Sequence, residues 1–126
     1  MEGMLFVGLG GFFGASLRYL LGKAASSQSV IPAATLAINI FGSFMIGVLS
    51  LFSERHGLSR HSVILMLQAG FCGGFTTFST FSLDTFNLYH TGDLMLAGLN
   101  ILLNAVICIC AVWAGYRIVF PRTAAA

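Results

Sequence analysis

Gly70-Phe71-Cys72-Gly73-Gly74-Phe75-Thr76-Thr77-Phe78-Ser79-Thr80-Phe81-Ser82 sits inside an apolar run, Ser62 to Leu83, that has no charged residue. A helix crossing a bilayer needs about 20 such residues. The centre of this run is nevertheless poor helix material. Gly73-Gly74 lowers helix propensity, and Thr76, Thr77, Ser79 and Thr80 crowd hydroxyls behind it. Thr76 and Thr77 are of the type that caps a helix N-terminus. The pattern predicts a membrane helix that breaks near 73–77 and restarts at about Thr77. In lipid, irregular backbone persists only where protein or a wet cavity receives it. Free carbonyls at such a break suit a cation, and the restarted N-terminus favours an anion.

The rest of the chain is of the same kind. Val30 to Ser53 and Leu94 to Tyr116 carry no Asp, Glu, Lys or Arg, and Gly3 to Leu21 carries only Arg18. Four spans are predicted, at about 3–23, 31–53, 61–89 and 94–119, within one unit covering residues 1–126. The runs are long and continuous, unlike the short alternating strands of a membrane barrel. Composition agrees. Charged residues are 8% of the 126, against about 25% in a soluble domain. The net charge of +2 gives no electrostatic grip on a polyanion. A water-soluble domain, a disordered chain and a nucleic-acid binder are excluded, and few residues remain for a catalytic constellation.

The ends and loops add little. Met1-Glu2-Gly3 lacks the positive n-region of a signal peptide, although Ala24-Ala25-Ser26 resembles a cleavage site. With the N-terminus cytoplasmic, that side holds Arg55, Arg60, Arg117 and Arg122, and the opposite side holds Lys23 with Arg18 near it. This weak bias permits insertion in both orientations or a single N-in topology. Cys72, Cys108 and Cys110 lie in apolar stretches and read as small buried hydrophobes. His56, His61 and His90 fall in loops or at helix ends without partners at ligand spacing.

Polar groups within the spans are the best pointers to function. Arg18 reads as an interfacial anchor, a structural cation or an anion-attracting charge. Thr35, Asn39, Ser43 and Gly47 recur every fourth residue and share a face. That face is either a packing seam with Asn39 as interhelical glue or a pore stripe. Asn100, Asn104 and Cys108 repeat the spacing in the last span. Phe75, Phe78 and Phe81 are expected to share one face, as core packing or as ring edges lining an anion path. Asp84 follows as an interfacial charge or a gatekeeper. Gly10 and Gly14 give a G-x-x-x-G helix contact.

These residues carry a resemblance. Gly73 to Ser82, with Gly10-Gly11-x-x-Gly14-Ala15-x-x-Arg18 and Thr35-Leu36-x-x-Asn39-x-x-Gly42, is similar to the Fluc-type (CrcB-like) small fluoride channels, and the similarity covers all four spans. It implies an all-α membrane protein with four transmembrane helices per subunit, the third broken near mid-membrane. It implies an antiparallel, dual-topology homodimer in the lipid bilayer, with two pores that export fluoride passively. The place would be a bacterial plasma (inner) membrane, multi-pass, with no enzymatic activity and no nucleic acid or nucleotide partner. A structural sodium ion (Na+) would sit at the dimer centre on the backbone carbonyls of Gly73 and Thr76 from both subunits. The fluoride pathway would use Phe78 and Phe81, Asn39, the hydroxyls of Ser79 and Thr80, and the track Asn100, Asn104 and Cys108, where the family has Tyr, Ser and Thr types. Asp84 stands where the family commonly has Glu, and Arg18 matches the arginine near the vestibule.

Two other readings compete. A small four-helix proton-coupled multidrug transporter needs a membrane-embedded carboxylate, and the first span has none after Glu2. A non-transporting assembly subunit would use its polar residues only as glue.

Overall fold

In the computed structural model, residues 1–24 and 32–118 are described. Four helices are long and apolar enough to cross a membrane: Glu2–Ala24, Ala33–Arg55, Ser62–His90 and Leu94–Ile118. The first two are α1 and α2. The third span comprises α3 (Ser62–Leu65), a π-helical stretch (Met66–Cys72), α4 (Gly73–Phe75) and α5 (Phe78–His90), and α6 is Leu94–Ile118. The predicted starts and ends at Ile31 and residue 119, the Ala25-Ser26 half of the candidate cleavage site, and Arg122 lie outside the described residues. At 1.5 Å per residue, spans of this size reach about 35 Å, enough for a hydrocarbon core of about 30 Å.

Little of each span is buried within the chain itself, from 11% in the first to 28% in the second. The apolar remainder faces lipid or another protein. Packing within the subunit falls into two seams. α1 lies along the first half of the third span, and α2 lies along α6, with α5 also against α6.

Glycine makes both seams possible by letting backbones touch. A Cβ at Gly10 would overlap the Met66 carbonyl, and one at Gly14 the Phe71 carbonyl. From the other side, a Cβ at Gly70 would stand 2.6 Å from the Val7 oxygen, and one at Gly74 2.7 Å from the Gly11 oxygen. In the second seam a Cβ at Gly47 would overlap the Val112 carbonyl, and one at Gly115 that of Phe44. Only at Gly57 and Gly92, in the turns after α2 and α5, is glycine needed for a positive φ, of 63° and 89°.

The third span does break, but Gly73-Gly74 is helical. The irregular pair is Thr76 (φ −77°, ψ 154°) and Thr77 (φ −148°, ψ 118°), both extended. Gly74 serves the contact with α1 rather than the interruption. The break also corrects the phenylalanine stripe. Phe75 lies before it and is buried, stacked on Phe71 at 5.7 Å between ring centroids and edge-on to Phe41 at 5.9 Å. Phe78 and Phe81 lie after it and pair with each other at 5.4 Å.

Gly14→Leu is expected to destabilise the subunit by at least about 1–3 kcal/mol, the usual cost of overpacking. Gly8 has no neighbour within 4 Å of a Cβ. Gly8→Ala should therefore be neutral or stabilising by up to about 1 kcal/mol through helix propensity. Thermal unfolding in detergent, followed by Trp113 fluorescence, separates the two.

Candidate functional site

A broken helix leaves peptide groups without partners, and in lipid each must be met. Asn39 of α2 meets the group at the break. Its Oδ1 accepts from the Thr77 N–H at 2.9 Å, and its Nδ2 donates to the Thr77 carbonyl at 3.3 Å. One carboxamide thus holds both polar ends of one residue's backbone. Thr77 then caps α5, its Oγ1 accepting from the Thr80 N–H at 3.2 Å.

The carbonyls of the last turn before the break lose their helical donors as a result. In a continuous helix the Thr77 N–H would close on Gly73, and the Thr80 N–H on Thr76. Those donors go instead to the side chains of Asn39 and Thr77. Gly74 would have been served by the Phe78 N–H, now beyond the break. Its carbonyl accepts from Arg18 Nε at 3.2 Å instead. Arg18 therefore ends the first half-helix as a cation at its negative pole.

From Asn39 a line of amides continues across the subunit. Asn39 Nδ2 donates to Asn104 Oδ1 at 3.0 Å. Asn104 Nδ2 donates to the Asn100 backbone and side-chain oxygens at 3.0 and 3.1 Å. Asn100 Nδ2 donates to Thr85 Oγ1 at 2.8 Å, and Thr85 Oγ1 donates to the Phe81 carbonyl at 2.8 Å. Asn100 is only 1% exposed.

Beside this line opens a cleft of about 520 Å³, whose lining includes Asn39, Thr77, Phe78, Phe81, Asn104 and Cys108. Its wall carries no formally charged side chain. Gly73 and Thr76 share it, so the freed carbonyls and the α5 N-terminus belong to one region. Phe78 is 79% exposed there, which a phenyl ring sustains only against lipid or protein. A second cleft, of about 240 Å³, is bounded by Arg18, Lys23, Thr35, Thr77 and Thr80 among others. Near it Thr35 Oγ1 donates to Asp84 Oδ2 at 2.6 Å. Thr77, which borders both clefts, therefore stands between the two spaces.

The candidates sort accordingly. Asn39, Phe78, Phe81, Asn104 and Cys108 gather at the first cleft, and Arg18 and Thr80 at the second. Ser79 sits beside Thr77, its Oγ 3.1 Å from Thr77 Oγ1. Asn100 lies behind the first cleft rather than on its wall. The four-residue face of α2 divides its work: Thr35 meets Asp84, Asn39 meets Thr77, and Gly47 meets α6. Thr85 was not singled out in the sequence. Its signal was its place in the α5–α6 hairpin: Thr85 and Asn100 stand about two turns either side of the Thr91–Asp93 turn and so lie at the same level. Among the described residues, no His, Cys, Asp and Glu side chains group as metal ligands; the oxygens at the break are backbone carbonyls, hydroxyls and the Asn39 amide oxygen.

Comparison with known proteins gives a consistent picture. The family described as "CrcB-like protein, Camphor Resistance (CrcB)" matches residues 5–116. The chain is 43% identical to the "Fluoride-specific ion channel FluC" of Elusimicrobium minutum over 120 residues, covering 93% of each chain. It is 44% identical to the protein of the same name from Methanococcus maripaludis, covering 91% of this chain and 93% of that one. The Methanocaldococcus jannaschii protein of that name is also 44% identical, over 89% of this chain and 90% of its own.

Asn39→Leu leaves both polar groups of Thr77 without this partner. The expected loss is about 1–3 kcal/mol for each group left unsatisfied. Ser43→Ala, one turn further along α2, keeps the Thr77 backbone bonded and should stay within about 0.5 kcal/mol of the parent. Thermal unfolding of the purified proteins measures both.

Proposed function

The chain belongs to the CrcB-like family, and from that premise we propose that it is a fluoride-selective ion channel that exports cytoplasmic fluoride passively. It is a multi-pass membrane protein and not an enzyme. Hydrogen fluoride formed in acidic surroundings crosses the membrane and dissociates in the cytoplasm. The trapped anion then leaves down its electrochemical gradient through this protein.

The observation that carries this reading is the restarted helix α5. Its N-terminus, the Phe78–Phe81 pair and the Asn39 amide all border one uncharged cleft. The α5 N-terminus supplies a partial positive charge. Phenyl edges are weakly positive. Hydroxyl donors such as Thr80 replace water around a small anion, while the Asn39 amide, its Nδ2 held by the Thr77 carbonyl and Asn104, shapes the wall. Each element attracts fluoride without a formal charge that would trap it, as conduction requires. Arg18, Asp84, Thr80 and Ser79 serve the approach from the second cleft. Asn104 and Cys108 continue the track along α6, with Asn100 supporting it from behind.

Two copies pair antiparallel in this reading, so that the exposed Phe78 faces of both subunits are covered and two pores run through the dimer. The carbonyls of Gly73 and Thr76, released from their helical donors, fit a hard cation that takes oxygen ligands. With both subunits contributing, four such oxygens would hold a structural sodium ion at the dimer centre, where it would neutralise the negative end of the first half-helix.

Purified protein in liposomes is expected to release fluoride rapidly while retaining chloride. Flux equal to that of empty liposomes, or equal passage of chloride, would refute the proposal. Phe78→Ile should slow fluoride about tenfold, equivalent to about 1.4 kcal/mol in barrier, with the dimer intact by size-exclusion chromatography.

A further inference from the structure

The amide line that leaves the break also returns to the same span. It starts at the Thr77 N–H and ends on the Phe81 carbonyl, so both ends lie in or next to the first two turns of α5. Between those ends it passes through α2 at Asn39 and through α6 at Asn104 and Asn100. Main-chain groups fix its direction at both ends, because the Thr77 N–H only donates and the Phe81 carbonyl only accepts. The intermediate amides are thereby oriented too. The Asn100 carbonyl, an acceptor only, takes the Asn104 Nδ2 and leaves Asn104 Oδ1 for Asn39.

The last link is unusual for its cost. Asn100 is fully buried, and its Nδ2 is answered by Thr85 Oγ1 at 2.8 Å. A valine in place of Thr85 would have the same shape and leave that donor without its acceptor. The link therefore ties α6 to α5 one turn beyond Phe81, on the side of α5 away from the break.

We propose that Thr85 and Asn100 are positioning residues for anion selectivity: they close a hydrogen-bonded splint that holds the first turns of α5, with the Phe78 and Phe81 rings, in fixed register against α2 and α6. Thr85 and Asn100 themselves touch no ion. It sets the spacing of the ring pair that the ion passes. The inference rests on the channel reading above, and it adds a determinant, Thr85, outside the clefts. Displacement of a contacting group by about 1 Å can cost on the order of a hundredfold in rate, so a lost splint should be visible in transport.

The test compares Thr85→Val and Thr85→Ser with the parent in liposomes, recording fluoride efflux, chloride efflux and the order of the Phe81 ring by solid-state NMR of ring-labelled protein. Thr85→Val should lower the fluoride-to-chloride ratio by about tenfold or more and loosen the ring. Thr85→Ser, which keeps the hydroxyl, should restore the ratio to within about twofold of the parent. An unchanged ratio with an unchanged ring in Thr85→Val overturns the proposal. So does a slower flux at unchanged ratio and ring order, since that is a general structural effect. If Thr85→Val is not monodisperse, Asn100→Leu cuts the splint from the α6 side and is read in the same way. If neither folds, the pair serves the fold alone and the proposal is wrong. A parent protein that passes no fluoride would instead refute the channel reading, and the ring-order comparison would still decide the splint.

Discussion

One carboxamide decides what the third span can be. Backbone polar groups in hydrocarbon must be satisfied by protein, and Asn39 satisfies the Thr77 backbone on both sides. Without it the extended pair Thr76–Thr77 would be driven back toward continuous helix. With it, the Gly73 and Thr76 carbonyls are released and α5 begins anew in mid-span. The opposed helix ends, the paired rings and the cleft between them follow from that substitution of a side chain for a helical turn.

The scaffold around the break is rigid because its seams are backbone on backbone. α1 grips the first half of the third span through Gly10, Gly14, Gly70 and Gly74. α2 grips α6 through Gly47 and Gly115. Asn39 of α2 then joins the two pairs at the break, and Arg18 adds a bond within the first pair. Arg18 puts its Nε on the Gly74 carbonyl and also borders the second cleft, so the structural and anion-attracting readings coexist in one side chain.

The spans were legible because membrane insertion depends on local apolar content, which sequence displays directly. So was the interruption, since capping residues announce a helix start and Thr77 is the cap. Its position was less legible. Glycine lowers helix propensity and also permits close approach, and Gly73-Gly74 alone cannot tell which property is in use. Here the neighbouring helix decides for approach, and the break falls on the threonines. The same offset separated Phe75 from Phe78 and Phe81, because a periodicity argument assumes one helix. Asn39, Asn100 and Asn104 were visible as costly amides in lipid, but their partners were not. Which groups meet depends on tertiary pairing, and Thr85 acquires its role only through the opposite helix.

The line from Asn39 to Thr85 is made of carboxamides and a hydroxyl, none of which gains or loses a proton near neutral pH. Its hydrogens run from the Thr77 N–H to the Phe81 carbonyl, with one Asn39 hydrogen returning to the Thr77 carbonyl. Such a line relays protons poorly, because its three carboxamides do not take up a proton near neutral pH. Its two ends also lie on neighbouring turns of the same helix, so it offers no hydrogen-bonded path from one face of a bilayer to the other.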